Sequence, residues 1–333
     1  MSRSTVEALP DAAGAVAGSG VVVGTAWAEP PGPSPVVSPP CPVCGGPALR
    51  FRTAAMVARD IAETETSWEV WRETRGAPPL QLQHDEPAPV EGCDGCGTLW
   101  RSGPGARSAV VARYRDDTYS CADLQELHRR ELLDARGDRG WLRSNGVVPG
   151  ARLVEVASYV GAFLCFAREQ GAEAIGVDPG EQVVGFTRGL GLDVRHGTLD
   201  TVDLAGPFDG VWILNGFEQM PRPADVVARA RDLLRPGGRL VLRTPNADFA
   251  RLAYEPHASS FVRVTARLHQ VWGVPFLHCF SPDAITRLLT DAGFAAPRFR
   301  ARPPHDRPSA RQPVDPAAVA PLSPWMDVTA VRR

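Results

Sequence analysis

Leu153-Val-Glu155-Val-Ala157-Ser-Tyr159-Val-Gly161-Ala-Phe-Leu164 passes from a short strand-like run through a tight turn into an apolar helical stretch, and Gly176-Val-Asp178-Pro179 closes a second strand-like run. A strand, a turn and a helix followed by an acid at the next strand tip is how open parallel sheets grip a ribose-bearing ligand at their carboxyl edge. Asp178 is therefore expected to accept hydrogen bonds from both ribose hydroxyls, charge-assisted and worth roughly 1.5–3 kcal/mol each.

The turn itself narrows the ligand. A dinucleotide site needs glycine where backbone must approach a pyrophosphate, yet Ala157 and Tyr159 occupy the first two glycine positions of that pattern. A tyrosine there obstructs a diphosphate and argues against a nicotinamide-dependent oxidoreductase. S-adenosylmethionine has no diphosphate, and its amino-acid end requires one close backbone approach, which Gly161 offers. Glu155 adds a carboxylate suited to that ligand's ammonium and hostile to phosphate.

Outward from this turn, short apolar runs at Leu153–Val156, Ala174–Val177, Val194, Gly210–Leu214 and Arg239–Arg243 alternate with helical patterns near Ala162–Gln170, Glu181–Gly189 and Ala224–Leu234. This alternation predicts an α/β domain, a doubly wound, mostly parallel sheet wrapped by helices. Further on, helices are expected at Ser259–Val271 and Pro282–Ala292, and strands near Ala296–Arg300 and at Met326–Arg332. An Arg/Pro-rich loop, 302–324, lies between those two strands. The Pro236-Gly237-Gly238 turn reads as a tight helix-to-strand reversal without a ligand role.

On the other side, Leu124, Leu127, Leu132 and Leu133 recur at helical spacing, so 122–150 reads as a linking helix. Before it stand Cys41-Pro-Val-Cys44 and Cys93-Asp-Gly-Cys96, each followed by glycine. Four thiolates on two tight turns meet the tetrahedral demand of Zn²⁺ and leave no open coordination position, so a structural zinc is expected, with an iron site of rubredoxin type or a redox dithiol as the alternatives. A helix or hairpin is expected to fill the long interval between the pairs. Residues 41–121 thus form a zinc-ribbon-like module, 122–333 the sheet domain, and 1–40, rich in Ala, Gly, Pro and Ser, a disordered tail. Cys121, Cys165 and Cys279 have no partner at ligand spacing.

Composition sets the outer limits. All 36 basic residues are arginine, the formal net charge is -2, and the arginines are scattered, which argues against a nucleic-acid partner. No apolar run is long enough to span a membrane, and paired cysteines suit a reducing compartment, so a cytoplasmic protein is expected.

From about Ala122 onward the chain resembles class I S-adenosylmethionine-dependent methyltransferases. The resemblance rests on Leu153–Leu164, Gly176–Pro179, Phe208–Gln219, Leu234–Asn246, and His278-Cys-Phe280-Ser281 running into Asp291-Ala-Gly-Phe294. The cysteine module resembles the zinc-binding domain of a subgroup that includes sugar C-methyltransferases of natural-product pathways. The resemblance implies a Rossmann-like sheet of seven strands, with Glu155 to Gly161 as the cofactor loop and Asp178-Pro179 at the ribose. It places Thr198 and Leu199 at the adenine and Asn215 beside the sulfonium and methyl. The sequence departs from the family where two loop glycines are replaced, at Thr198, and at Gln219, where a histidine is usual.

Methyl transfer from a sulfonium needs alignment more than acid–base help, and a base only where the acceptor must lose a proton. His278, just before a helix start, Glu218 after Asn215, and His257 are the candidates. The expected acceptor is a small molecule, a sugar or another natural-product intermediate, methylated at oxygen or carbon. Two alternatives stand beside it: a catalytically silent scaffold whose zinc module binds a protein partner, and an RNA methyltransferase using Arg298, Arg300, Arg302, Arg307 and Arg311.

Overall fold

In the computed structural model, the described residues are 39–75, 87–103, 112, 114, 119–255, 257, 276–302 and 323–333. The expected tail up to residue 38, the helix at Ser259–Val271 and most of the Arg/Pro-rich loop lie outside them.

The sheet domain carries seven strands: β4 (Arg152–Val156), β5 (Glu173–Asp178), β6 (Asp193–His196), β7 (Phe208–Leu214), β8 (Leu234–Pro245), β10 (Arg298–Arg302) and β11 (Trp325–Val331). Their order is β10-β11-β8-β7-β4-β5-β6. Strands β4 to β8 pair in parallel, and β11 runs antiparallel between β8 and β10. This is the Rossmann-like methyltransferase arrangement, with the chain leaving β4 toward β5 on one side and returning to β7 on the other. The Pro236-Gly237-Gly238 reversal sits inside β8, where pairing jumps from Phe208↔Leu234 to Gly210↔Arg239.

Side chains alternate across this sheet, as a period of two requires. Leu153, Trp212 and Val241 pack under α2 (Cys121–Gly137), α3 (Arg139–Ser144) and α4 (Ala162–Glu169) together with Phe163, Phe166 and Leu142. Val154, Val211, Ile213, Leu240 and Leu242 face α6 (Pro223–Leu233) and α8 (Pro282–Asp291), meeting Val227, Ile285 and Leu288. The linking helix is two helices broken at Asp138. α2 begins with a capping box in which Ser120 Oγ accepts from the Asp123 amide and the Asp123 carboxylate accepts from the Ser120 amide. α5 (Glu181–Gly189) and α7 (Ala247–Ala253) complete the domain.

A second, four-stranded antiparallel sheet is ordered β1-β2-β3-β9, from Leu49–Arg52, Val90–Gly92, Leu99–Arg101 and His278–Cys279. Its last strand comes from the far end of the chain, with Trp100 opposite His278. α1 (Ala54–Arg75) fills the interval between the cysteine pairs. Cys41, Cys93, Cys96 and Trp100 share one apolar core with Phe280 and the α8 residues. The cysteine-bearing segment and the sheet domain therefore fold against each other within one compact unit, Ser38–Arg333.

Candidate functional site

Strand order reverses between β4 and β7, and such a switch point opens a crevice at the carboxyl edge of the sheet. Among the described residues, Ala157 (φ 58°), Tyr159 (φ 43°) and Asn215 (φ 59°) are the only non-glycines with left-handed backbone. All three border this crevice, and each costs about 1 kcal/mol or more relative to ordinary backbone. The two turns touch: a Cβ on Gly216 would lie 2.9 Å from the Ala157 methyl. Gly161 (φ 70°) starts α4, and a Cβ there would meet Leu192 at 2.7 Å and Thr187 at 2.9 Å. Glycine at this position is fixed by helix packing as well as by φ.

Asp178, at the tip of β5, is buried, and each of its oxygens accepts one backbone amide: Oδ2 from Tyr159 (2.8 Å) and Oδ1 from Gly180 (2.9 Å). Burial pushes its pKa up, and the two amides pull against that. Glu155 is buried with Oε2 unpartnered, and burial pushes its carboxyl well above the usual range, with Glu131 and Asp178 adding like-charge repulsion. The Tyr159 ring is turned onto Tyr119, edge to face at 6.0 Å, within a cluster that includes Leu124 and Val183. Leu199 is buried, Thr198 is half-buried with its hydroxyl on Asp200, and the Pro179 carbonyl accepts from His196. Asn215 is exposed at the β7 tip, its amide donating to the Arg243 carbonyl.

A buried ion cluster beyond the β8 side of the sheet joins arginines and acids whose grouping the sequence did not show. Arg243, Arg300 and Arg302 converge on Asp138 and Asp327; Arg243 reaches Asp327 at 2.7 Å and Asp138 at 3.1 Å, and Arg302 contacts Asp138. Arg300 and Arg243 also lie over the Trp141 ring at 4.3 and 5.5 Å. Two of the five arginines grouped for RNA binding are thus engaged inside the fold, and Arg307 and Arg311 lie outside the described residues. Glu131, on α2, is the second unflagged charge.

The four cysteines of the two pairs converge. Their sulfurs all lie within 4.8 Å of one another, with Cys41–Cys96 and Cys44–Cys93 at 3.5 Å. A tetrahedral ion with Zn–S bonds of about 2.3 Å sets sulfurs ~3.8 Å apart, so the cluster fits. Both turns are built alike: Cys41 N donates to Gly46 O and Gly45 N to Cys41 O, Cys93 N to Thr98 O and Gly97 N to Cys93 O. Cys96 is pulled down to about 5, first by the Cys41 thiol. The second turn is clamped from the sheet domain: Arg251 on α7 donates to Gly97 O (3.3 Å) and Cys93 O (3.2 Å), and Ser281, the α8 cap, donates to Cys96 O.

Of the three base candidates, Glu218 and His278 come close in the fold and His257 does not join them. Glu218 lies in a short 3₁₀ turn (Phe217–Gln219), and its carbonyl accepts from Leu277 N at 3.0 Å. It is fully buried with neither oxygen in a hydrogen bond of proper geometry. Burial lifts its pKa to about 8, opposed by its own backbone amide and by Thr244. His278 is buried and stacked on Phe280 at 5.5 Å. His257 is exposed on the turn after α7.

The family described as Methyltransferase domain matches residues 122–296, more than half of the chain. The chain belongs to the methyltransferase domain family. The chain is 27% identical over 150 residues to a ubiquinone biosynthesis O-methyltransferase of Aromatoleum aromaticum, covering 43% of this chain and 61% of that protein. The namesake of Pseudomonas aeruginosa is 27% identical over 114 residues, 32% of this chain and 49% of that protein. The chain thus spans half to three fifths of the length of these relatives. Among solved structures, an S-adenosylmethionine-dependent methyltransferase from Mesorhizobium loti is matched over 60% of this chain and 100% of that one, at 21% identity and TM-score 0.47. No helix among the described residues of this methyltransferase-family chain is long and apolar enough to cross a membrane.

Proposed function

We propose that this protein transfers a methyl group from S-adenosylmethionine to a small-molecule acceptor. The observation that carries this reading is Asp178, held by two backbone amides beside a turn with three left-handed residues, at the point where strand order reverses. A carboxylate oxygen has two lone pairs, so one amide on each leaves one acceptor apiece for the two ribose hydroxyls. The amides also fix the plane of the carboxylate. Glu155 stands one strand away for the ammonium, Pro179, Thr198 and Leu199 line the adenine side, and the Ala157–Gly216 contact leaves only a narrow floor for the chain between.

When bound, the donor supplies a methyl on a positively charged sulfur. The protein's share is then alignment and exclusion of water. Asn215 and Gly216 at the β7 tip face the point where acceptor and methyl would meet. Of the base candidates, Glu218 and His278 border that side and His257 is the outlying third; a hydroxyl acceptor, as the names of the matched relatives suggest, would use such a base. A sugar or other natural-product intermediate is the acceptor class we favour. Cys41, Cys44, Cys93 and Cys96 would hold Zn²⁺ as a structural ion, since all four positions are filled by protein.

Asp178→Ala is expected to weaken S-adenosylmethionine binding at least about tenfold, the loss of one charge-assisted hydrogen bond, with zinc content unchanged. Titration calorimetry measures it. An unaltered affinity would remove Asp178 from the site.

A further inference from the structure

Leu124, Leu127, His128, Glu131 and Ala135 fall on one face of α2, because spacings of three and four residues return to the same side of a helix, and Asp138 caps its end. That face looks onto the sheet. Leu124 is buried, His128 Nδ1 meets the Val160 carbonyl at 2.8 Å, Leu127 and Ala135 pack on neighbouring cores, and Asp138 is bound to the arginines. Glu131 stands in the middle of this inward face, and yet it is exposed to solvent and makes no hydrogen bond or ion pair to any described residue. An inward position that solvent reaches marks a cleft beneath the helix. The groups that couple electrostatically to Glu131 are Glu155 at the β4 tip, Tyr159 in the turn, Arg243 on β8, and Asp134 and Arg130 on its own helix.

Two carboxylates, Glu155 and Glu131, thus feel each other across one crevice, and neither forms an ion pair with a described residue. The three arginines nearby already share Asp138 and Asp327, and Arg130 is exposed on the outer side of α2. Like charges gathered without a partner are costly, and a cationic ligand removes the cost. The protein packed around the cleft, with Asp134, lifts the Glu131 carboxyl to about 7 although solvent reaches it.

We propose that Glu131 is the second half of a two-carboxylate seat, with Glu155, for the α-ammonium of an amino-acid-bearing nucleoside. The inference rests on the donor reading above and names the residue on α2 that closes the site over the donor's amino-acid end. Glu131 binds through charge and hydrogen bonding at that end alone and has no contact with the nucleoside.

Two probes separate these ends: S-adenosylhomocysteine, which carries the ammonium, and 5′-methylthioadenosine, which lacks the amino-acid part. Glu131→Gln is expected to weaken S-adenosylhomocysteine about tenfold or more and to leave 5′-methylthioadenosine unchanged. Glu131→Ala should do the same, and Arg129→Gln, two residues away on the outer face and paired with Glu126, should change neither. Equal affinity of the Glu131 variants and the parent for S-adenosylhomocysteine, or parallel weakening of both probes, would overturn the proposal while leaving the donor reading in place. A parent protein that binds neither probe would overturn both.

Discussion

On the proposed zinc site, Cys93→Ser is expected to release the ion and to lower stability by roughly 5 kcal/mol or more, since ligation free energy of a structural zinc is folding free energy. The loss should not stay in the cysteine module. Cys93 O and Gly97 O receive the Arg251 guanidinium of α7, Cys96 O receives the Ser281 hydroxyl that also caps α8 through Ala284 N, and β3 pairs with β9. A Cβ on Gly97 would come within 2.9 Å of Ser281, so the knuckle and the helix start are in close contact. All of these attachments lie on the α8 side of the sheet, together with Glu218 and His278. Asp178 and Glu155 are on other strands. A variant that retains enough fold to assay should therefore show a larger rise in KM for the acceptor than in Kd for the donor. Metal analysis with calorimetric melting tests the first part; a metal-free variant that melts with the parent would refute a structural role for the ion.

The parts legible in the sequence are those whose signal is local. The β4 run, the turn, α4 and the acid at the β5 tip read correctly because a strand period, a left-handed turn and a helix period follow one another within a few residues. That the two cysteine pairs form like turns and converge was legible because spacing and glycine alone dictate a knuckle. The linking helix was expected whole and is broken at Asp138, whose carboxylate is bound to Arg243, Arg300 and Arg302 from β8 and β10. No local pattern announces such an ion cluster, since Asp138 lies more than a hundred residues before each of its arginine partners. β9 was missed for a related reason: a two-residue strand has no periodicity, and its partner, Leu99–Arg101, is far away in sequence. His278 was singled out, but its pairing opposite Trp100 could not be. Glu131 sits among Arg129, Arg130 and Asp134 and looks in sequence like one more charge on a solvated helix. Only the packed neighbours on either side of it show that it faces inward.

Glu218→Gln should raise stability at alkaline pH and change it little at acid pH. Both carboxyl oxygens of Glu218 are buried without a well-formed hydrogen bond, and burial holds its pKa at about 8 against an ordinary 4.5. The folded chain therefore favours the neutral acid. That preference is fully present below the ordinary carboxyl pKa and is lost as pH rises from there to about 8, where folding must keep a carboxylate in an apolar pocket. At about 1.4 kcal/mol for each pKa unit, the difference between parent and variant should grow by roughly 3–5 kcal/mol between pH 5 and pH 9. Gln keeps the shape and a carbonyl oxygen toward Thr244 but cannot ionise, so the slope belongs to the charge alone. Other titrating groups, the four cysteines included, are common to both proteins and cancel in the comparison. Denaturant unfolding at the two pH values measures it, and an equal gap at both would mean that Glu218 ionises without penalty. Were Glu218 also the base, the same variant would lose the alkaline limb of the kcat profile, because the carboxylate it needs is the form that the fold disfavours. Stability and turnover at this residue would then move in opposite directions with pH, as expected where a protein keeps a reactive group in an environment that penalises its working form.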